Sequence, residues 1–187
     1  MKTIRAFVAI EPGESIRVTL SDLQQRLKRT GADLSWVRPD SIHLTLAFLG
    51  ELPEDQVEPL KAALDAAVIE KTFDFNLAGI GTFGKLQHPS VLWAGITPCP
   101  QLERLHQQTT EALGTAGVKF DDKTFSPHLT LGRFKSSRNL LALQEQLEKE
   151  QTGILGSATV HEIQLIQSRL RPEGAQYTVL YGIQLQD

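Results

Sequence analysis

Thr3 to Ile10, which closes on the apolar run Ala6 to Ile10, reads as a strand. A longer period follows. Ile16, Leu20, Leu23 and Leu27 recur at three- and four-residue spacing behind Gly13-Glu14-Ser15, predicting a helix to about Thr30 that Gly31 ends. A short extended piece around Ser35 to Val37 leads through Pro39 into an apolar–polar alternation, Ser41-Ile42-His43-Leu44-Thr45-Leu46-Ala47-Phe48-Leu49, closed by Gly50. A helix over about Pro53 to Glu70 follows, with Val57, Leu60, Leu64 and Val68 as its apolar stripe, then a strand from Thr72 to Ile80.

The same order returns further along. Val91 to Ile96 reads as a strand, Pro100 to about Ala116 as a helix carrying Leu102, Leu105 and Leu113, and Gly117 closes it. Another alternation, Ser126-Pro127-His128-Leu129-Thr130-Leu131-Gly132-Arg133-Phe134, precedes a helix from about Asn139 to Glu150 and a strand within Ser157 to Leu170. Pro172-Glu173-Gly174 predicts a turn into a last strand, Gln176 to Leu185. Phe7 and Trp93 are 86 positions apart, Gly31 and Gly117 also 86, and His43 and His128 85. The chain therefore reads as an internal duplication: one repeat over 3–80, one over 91–170, and a C-terminal strand over 176–185. The order implies an α+β fold, a bilobal pseudo-two-fold arrangement of two mostly antiparallel sheets with helices outside.

The repeat carries chemistry. His43-Leu44-Thr45-Leu46 recurs as His128-Leu129-Thr130-Leu131. Side chains two apart on a strand share a face, so each copy aims one imidazole and one hydroxyl the same way while its leucines face the core. A lone His-x-Thr is common on strands. Two copies in matching context place two histidines and two threonines around one cavity, a kit for acid–base chemistry on a phosphate. Arg133, five positions after His128, is a candidate phosphate clamp, against the alternative of a solvated strand end. Phe7, Trp36 and Trp93 are candidate stacking faces for a base, or equally core residues.

Composition narrows the class. The 187 residues are 41% hydrophobic and 22% charged, as in ordinary globular proteins. Nineteen basic against 22 acidic residues give a net charge of −3, which excludes the footprint of a long duplex binder but not a local cationic pocket. The single Cys99 excludes an internal disulfide and a Cys-rich zinc site. No apolar run is long enough to span a membrane, and Met1 to Ile10 lacks a signal-peptide cleavage pattern, so a cytoplasmic protein without membrane partners is expected.

Competing motifs fall away. Gly79-Ile80-Gly81-Thr82-Phe83-Gly84-Lys85 matches a dinucleotide fingerprint and the start of a phosphate-binding loop. Both mechanisms need a helix to follow, and the next residues are Leu86, Gln87, His88 and Pro89 before a strand. A glycine-rich connection between the lobes is expected instead. His88, His106 and His161 show no metal-ligand spacing, so no metal is expected. His106 reads as solvent-facing, His161 as exposed, and His88 as a loop residue near the seam.

The paired motifs, the opening Arg5-Ala6-Phe7-Val8-Ala9-Ile10, the approach Trp36-Val37-Arg38-Pro39 and the segment Phe125-Ser126-Pro127 together resemble the 2H phosphoesterase superfamily. Within it the chain is similar to bacterial RNA 2′,3′-cyclic phosphodiesterases, a group also called 2′-5′ RNA ligases. The likeness covers nearly the whole length. It implies a single domain over 1–187 with a central cleft, no cofactor, and hydrolysis of RNA 2′,3′-cyclic phosphate termini to 2′-phosphomonoesters, with reversible 2′-5′ ligation when a 5′-hydroxyl replaces water. By the same resemblance His43 is the proton donor and His128 the proton acceptor. Thr45 and Thr130 hold the phosphate oxygens, Arg133 stands where these relatives often carry a basic residue, and Phe7 stays a candidate base contact. The implied partner is RNA with a cyclic phosphate end or a small cyclic nucleotide; the sequence leaves the oligomeric state open, with a monomer favoured. A non-catalytic nucleotide-binding module, or a phosphodiesterase acting on 2′-5′ oligonucleotides or an ADP-ribose cyclic phosphate, remain the alternatives.

Overall fold

The computed structural model describes residues 2–150, 153–172 and 174–187. In chain order its elements are β1 (Thr3–Ile10), α1 (Glu14–Lys28), β2 (Leu34–Trp36), β3 (Leu44–Pro53), α2 (Val57–Ala67), β4 (Phe73–Lys85), β5 (His88–Ile96), α3 (Pro100–Thr115), β6 (His128–Phe134), α4 (Leu140–Glu150), β7 (Ile154–Val160), β8 (Glu162–Arg171) and β9 (Gly174–Gln184). The strands join in the order β7-β4-β5-β6-β3-β1-β8-β9, with β2 paired to β6, and every pairing among these strands is antiparallel.

The two expected sheets thus meet edge to edge at β6 and β3. Their connection is narrow, a single register pair, Leu44 with Leu129. The strand order is palindromic about that seam: β3 corresponds to β6, β1 to β5, β8 to β4 and β9 to β7. Spatial halves and sequence repeats are offset, because β4 crosses to pair with β5 while β8 returns to pair with β1.

Helix ends follow their residues. Gly117 takes φ +66 just past α3, and the Val118 N–H then returns to the Leu113 carbonyl at 2.9 Å, a glycine-dependent stop. Gly31 does the same service after α1 at φ +69. The stripe Ile16, Leu20, Leu23 and Leu27 is fully buried, as are Leu60 and Leu64 of α2 and Leu102, Leu105 and Leu113 of α3. These helix faces share one apolar core with Ala6, Val8 and Ile10 of β1 and with Leu44, Leu129 and Leu131 of the motif strands. Phe7 and Ala9 face the other way and pack with Ile166 and Tyr177. One face of the sheet carries the helices and the other is left to form a cleft.

Four expectations are corrected. The glycine-rich stretch is not a connection: it is the second half of β4, which reaches Lys85 and turns through Leu86 and Gln87 into β5. Its glycines serve the strand. Gly79 (φ +75) and Gly84 (φ +97) sit where the β4–β5 register shifts, as bulges require, and Gly81 leaves room for the Trp93 ring, which a Cβ there would strike. The helix expected from Pro53 starts later, after a 3₁₀ turn at Glu54–Gln56, and ends at Ala67. Beyond it the Gln108 side-chain oxygen accepts from the backbone N–H groups of Ile69 and Glu70. The strand expected within Ser157 to Leu170 is two strands, β7 and β8, which part at His161 for opposite ends of the sheet. His106 is not solvent-facing but stacks on Phe125, ring centroids 4.0 Å apart. Of the turn expected at Pro172-Glu173-Gly174, Glu173 lies outside the described residues.

Candidate active site

Because Leu44 and Leu129 point into the core, the residues on either side of each leucine emerge on the cleft face. His43, Thr45, His128 and Thr130 accordingly line one cavity of about 410 Å³, joined there by Arg133 and Phe7. That volume suits a nucleotide-sized ligand. Of the eight candidates singled out in the sequence, these six come together. Trp36 and Trp93 do not line this cavity. Lys28 lies over the Trp36 ring, 5.5 Å from its centroid, and Trp93 fills the space above Gly81 with its Nε1 buried and unpartnered.

The two imidazoles are held alike. His43 Nδ1 donates to the Ser41 carbonyl at 2.8 Å, and His128 Nδ1 donates to the Ser126 carbonyl at 2.7 Å. A carbonyl only accepts, so each Nδ1 carries hydrogen and each Nε2 is the atom left to exchange a proton. Aromatic rings fix the orientation further. Phe7 stacks on His43 with centroids 4.6 Å apart, Tyr177 meets His43 edge-on at 5.2 Å, and Phe83 meets His128 edge-on at 4.8 Å.

Burial holds the His43 pKa below its ordinary value; the Ser41 carbonyl opposes that, while the charges of His128 and Arg133 add to it. Burial likewise lowers His128, opposed by the Ser126 carbonyl and assisted by Arg133. The rings are thus close enough to sense each other and a shared cation. An anion entering the cavity would relieve this and favour a proton on the pair.

Several wall residues were not singled out in the sequence: Arg5, Phe48, Ser168 and Tyr177. Arg5 had a signal, since it stands two before Phe7 on β1 and so shares its face; its guanidinium lies 5.1 Å from the Phe48 ring centroid. Ser168 and Tyr177 are opposite one another on β8 and β9. No local pattern announces them. His88 sits at the far end of β5 against Ser137, 3.2 Å away, outside this cavity, and His161 is exposed between β7 and β8. Among the described residues no three His, Cys, Asp or Glu side chains converge into a metal-binding set, and no helix is long and apolar enough to cross a membrane.

The family model described as LigT like phosphoesterase matches the chain twice, over residues 10–93 and 96–177, so that each match holds one histidine motif. The chain belongs to that family of phosphoesterases. It is 30% identical over 184 residues to the RNA 2′,3′-cyclic phosphodiesterase of Thermotoga maritima, covering 98% of this chain and 96% of that protein. It is 33% identical over 187 residues to the protein of the same name from Aquifex aeolicus, covering 96% of each. Among solved structures, E. coli LigT complexed with 3′-AMP superposes with a TM-score of 0.80 at 25% identity over the whole of both chains.

Proposed function

We propose that this protein hydrolyses the 2′,3′-cyclic phosphate at an RNA end to a 2′-phosphomonoester, with His43 as the general acid and His128 as the general base. Water attacks phosphorus as His128 Nε2 takes its proton; the bond from phosphorus to O3′ breaks as His43 Nε2 protonates the departing oxygen. Thr45 and Thr130 donate to the non-bridging oxygens, and Arg133 offsets their charge. A 5′-hydroxyl in place of water would give a 2′-5′ linkage by the same steps. Phe7, only 2% exposed, packs its ring against His43 and Tyr177, so it braces the His43 imidazole rather than presenting a face to the terminal base.

One observation carries the reading: two imidazoles from equivalent strand positions line a single cavity, each with Nδ1 tied to a carbonyl two residues upstream. The names of the relatives from Thermotoga maritima and Aquifex aeolicus support this substrate class, and the 3′-AMP complex of E. coli LigT supports a nucleotide as ligand. The deciding experiment incubates a short RNA bearing a 2′,3′-cyclic phosphate with the protein in EDTA-containing buffer and identifies which hydroxyl keeps the phosphoryl group. A 2′-phosphate is expected. Exclusive formation of a 3′-phosphate, or binding without turnover, would overturn the proposal.

A further inference from the structure

We infer that Arg38 and Arg171 form a phosphate subsite at the mouth of the catalytic cavity that grips the RNA backbone on the 5′ side of the cyclic end. This rests on the function proposed above. A second depression of about 370 Å³ is lined by Arg38, Arg171, Gly174, Ala175 and Gln176. It adjoins the catalytic cavity directly, because Ala175 lines both. Each arginine is also the chain neighbour of a cavity residue: Arg38 follows Val37, and Arg171 follows Leu170. One arginine comes from the segment entering the 3₁₀ turn Pro39–Ser41 and the other from the end of β8, so the pair approaches the same depression from two separate elements.

The location fits the path of a polymer. Outside the two motifs and Arg133, the cavity walls come from β1, β3, β8, β9 and the segment before β3, with nothing from β4, β5 or β7. The nucleoside attached to the reacting phosphate fills that side, and its chain then continues toward the arginine pair. A mononucleoside cyclic phosphate ends within the cavity; an oligonucleotide carries its next phosphate to the depression. Gly174 presents bare backbone there, with no atom crowding it.

Charge favours an anion at this place although the chain as a whole is at −3. Arg5, Arg38, Arg133 and Arg171 surround the opening, and among the described residues no carboxylate forms an ion pair with any of them. Unpaired guanidinium groups present forked donors that match phosphate oxygens, which a lysine reproduces only in part.

The test compares the protein with Arg38→Gln/Arg171→Gln on two substrates, a mononucleoside 2′,3′-cyclic phosphate and a trinucleotide ending in the same group. The double variant should lose about tenfold or more in kcat/KM on the trinucleotide, the scale of a lost charge-assisted hydrogen bond. On the mononucleotide it should stay within about twofold of the parent, since one substrate lacks the phosphate concerned. The salt dependence of trinucleotide affinity should flatten by about 0.7 in slope per phosphate contact removed. Arg38→Lys/Arg171→Lys should recover part of the loss. Equal losses on both substrates, or none on either, would overturn the subsite. Anisotropy binding of a labelled trinucleotide 2′-phosphate, competed by a mononucleoside 2′-phosphate, reads the same difference without turnover. If neither substrate is hydrolysed the proposed function fails, and the binding comparison still decides the arginine pair.

Discussion

Leu44 and Leu129 face each other where β3 meets β6, and this one register pair joins the two halves of the sheet. Both side chains are completely buried. Strand alternation then leaves the histidine before each leucine and the threonine after it on the opposite face, in one cavity. The core thereby aligns the polar groups: an apolar contact between two copies of a motif sets the spacing of the chemistry. Duplication alone supplies the residues, and the seam supplies their convergence.

Replacing either histidine with alanine should lower kcat on a cyclic phosphate by about 10²- to 10⁴-fold, the usual worth of one proton-transfer group. The roles can be separated. A substrate with sulfur at the 3′ bridging position leaves without protonation, so His43→Ala should regain most of its activity on it while His128→Ala should not. Rescue of His128→Ala instead would exchange the two assignments.

The pH dependence follows from the directions of the two shifts. Both imidazoles lie below the ordinary histidine value of about 6.5. One must be protonated and the other neutral, so the bell for kcat/KM, which reports the free enzyme, should be centred on the acid side of that value. A bound phosphodiester adds negative charge between the rings and raises both pKa values, so the kcat profile should be displaced toward higher pH. Coincident profiles, measured over the same pH range, would mean that the phosphate does not sit between the imidazoles.

Arg133 lowers the pKa of both histidines through its charge. Arg133→Gln should therefore do two things at once. It should cut kcat/KM by about 10²-fold, as loss of a donor to developing charge does, and it should move the kcat/KM bell to higher pH. A rate loss with an unmoved profile would reduce Arg133 to a binding contact beyond the reach of the imidazoles.

What the sequence disclosed and what it hid divide along a physical line. Period-two alternation reports which face a residue takes, so His43, Thr45, His128 and Thr130 were legible; Phe7 stood out only as an aromatic in an apolar run, and Arg5 could have been placed from its position two before Phe7. Ser168 and Tyr177 reach the cavity only because β8 and β9 pair and curl over it, which no local pattern encodes. Glycines misled because bulges and turns need the same positive φ, and β4 uses Gly79 and Gly84 for bulges. His106 was misplaced because its partner Phe125 arrives from the irregular segment before β6. The offset of repeats from spatial halves was equally hidden, since the exchange of β4 and β8 is a matter of which edges pair.

Gln24 is a polar residue inside the apolar stripe of α1, only 1% exposed. Its side-chain nitrogen donates to the Val37 carbonyl at 2.8 Å and to the Leu131 carbonyl at 2.9 Å. The Leu131 oxygen also accepts from the Val37 N–H at 3.0 Å, so the amide ties the helix to the segment after β2 and to the motif strand β6 together. Methionine matches the length of glutamine without the donor. Gln24→Met would remove both hydrogen bonds and leave the half-buried Val37 oxygen without this donor, at a cost of about 0.5–1.5 kcal/mol per bond. A lower midpoint in denaturant unfolding with an unchanged slope is the expected result. Activity on a cyclic phosphate, measured well below the midpoint, should fall far less than in the histidine variants, because His43 and His128 keep their own carbonyl partners. An unchanged midpoint would show that this buried amide holds nothing together.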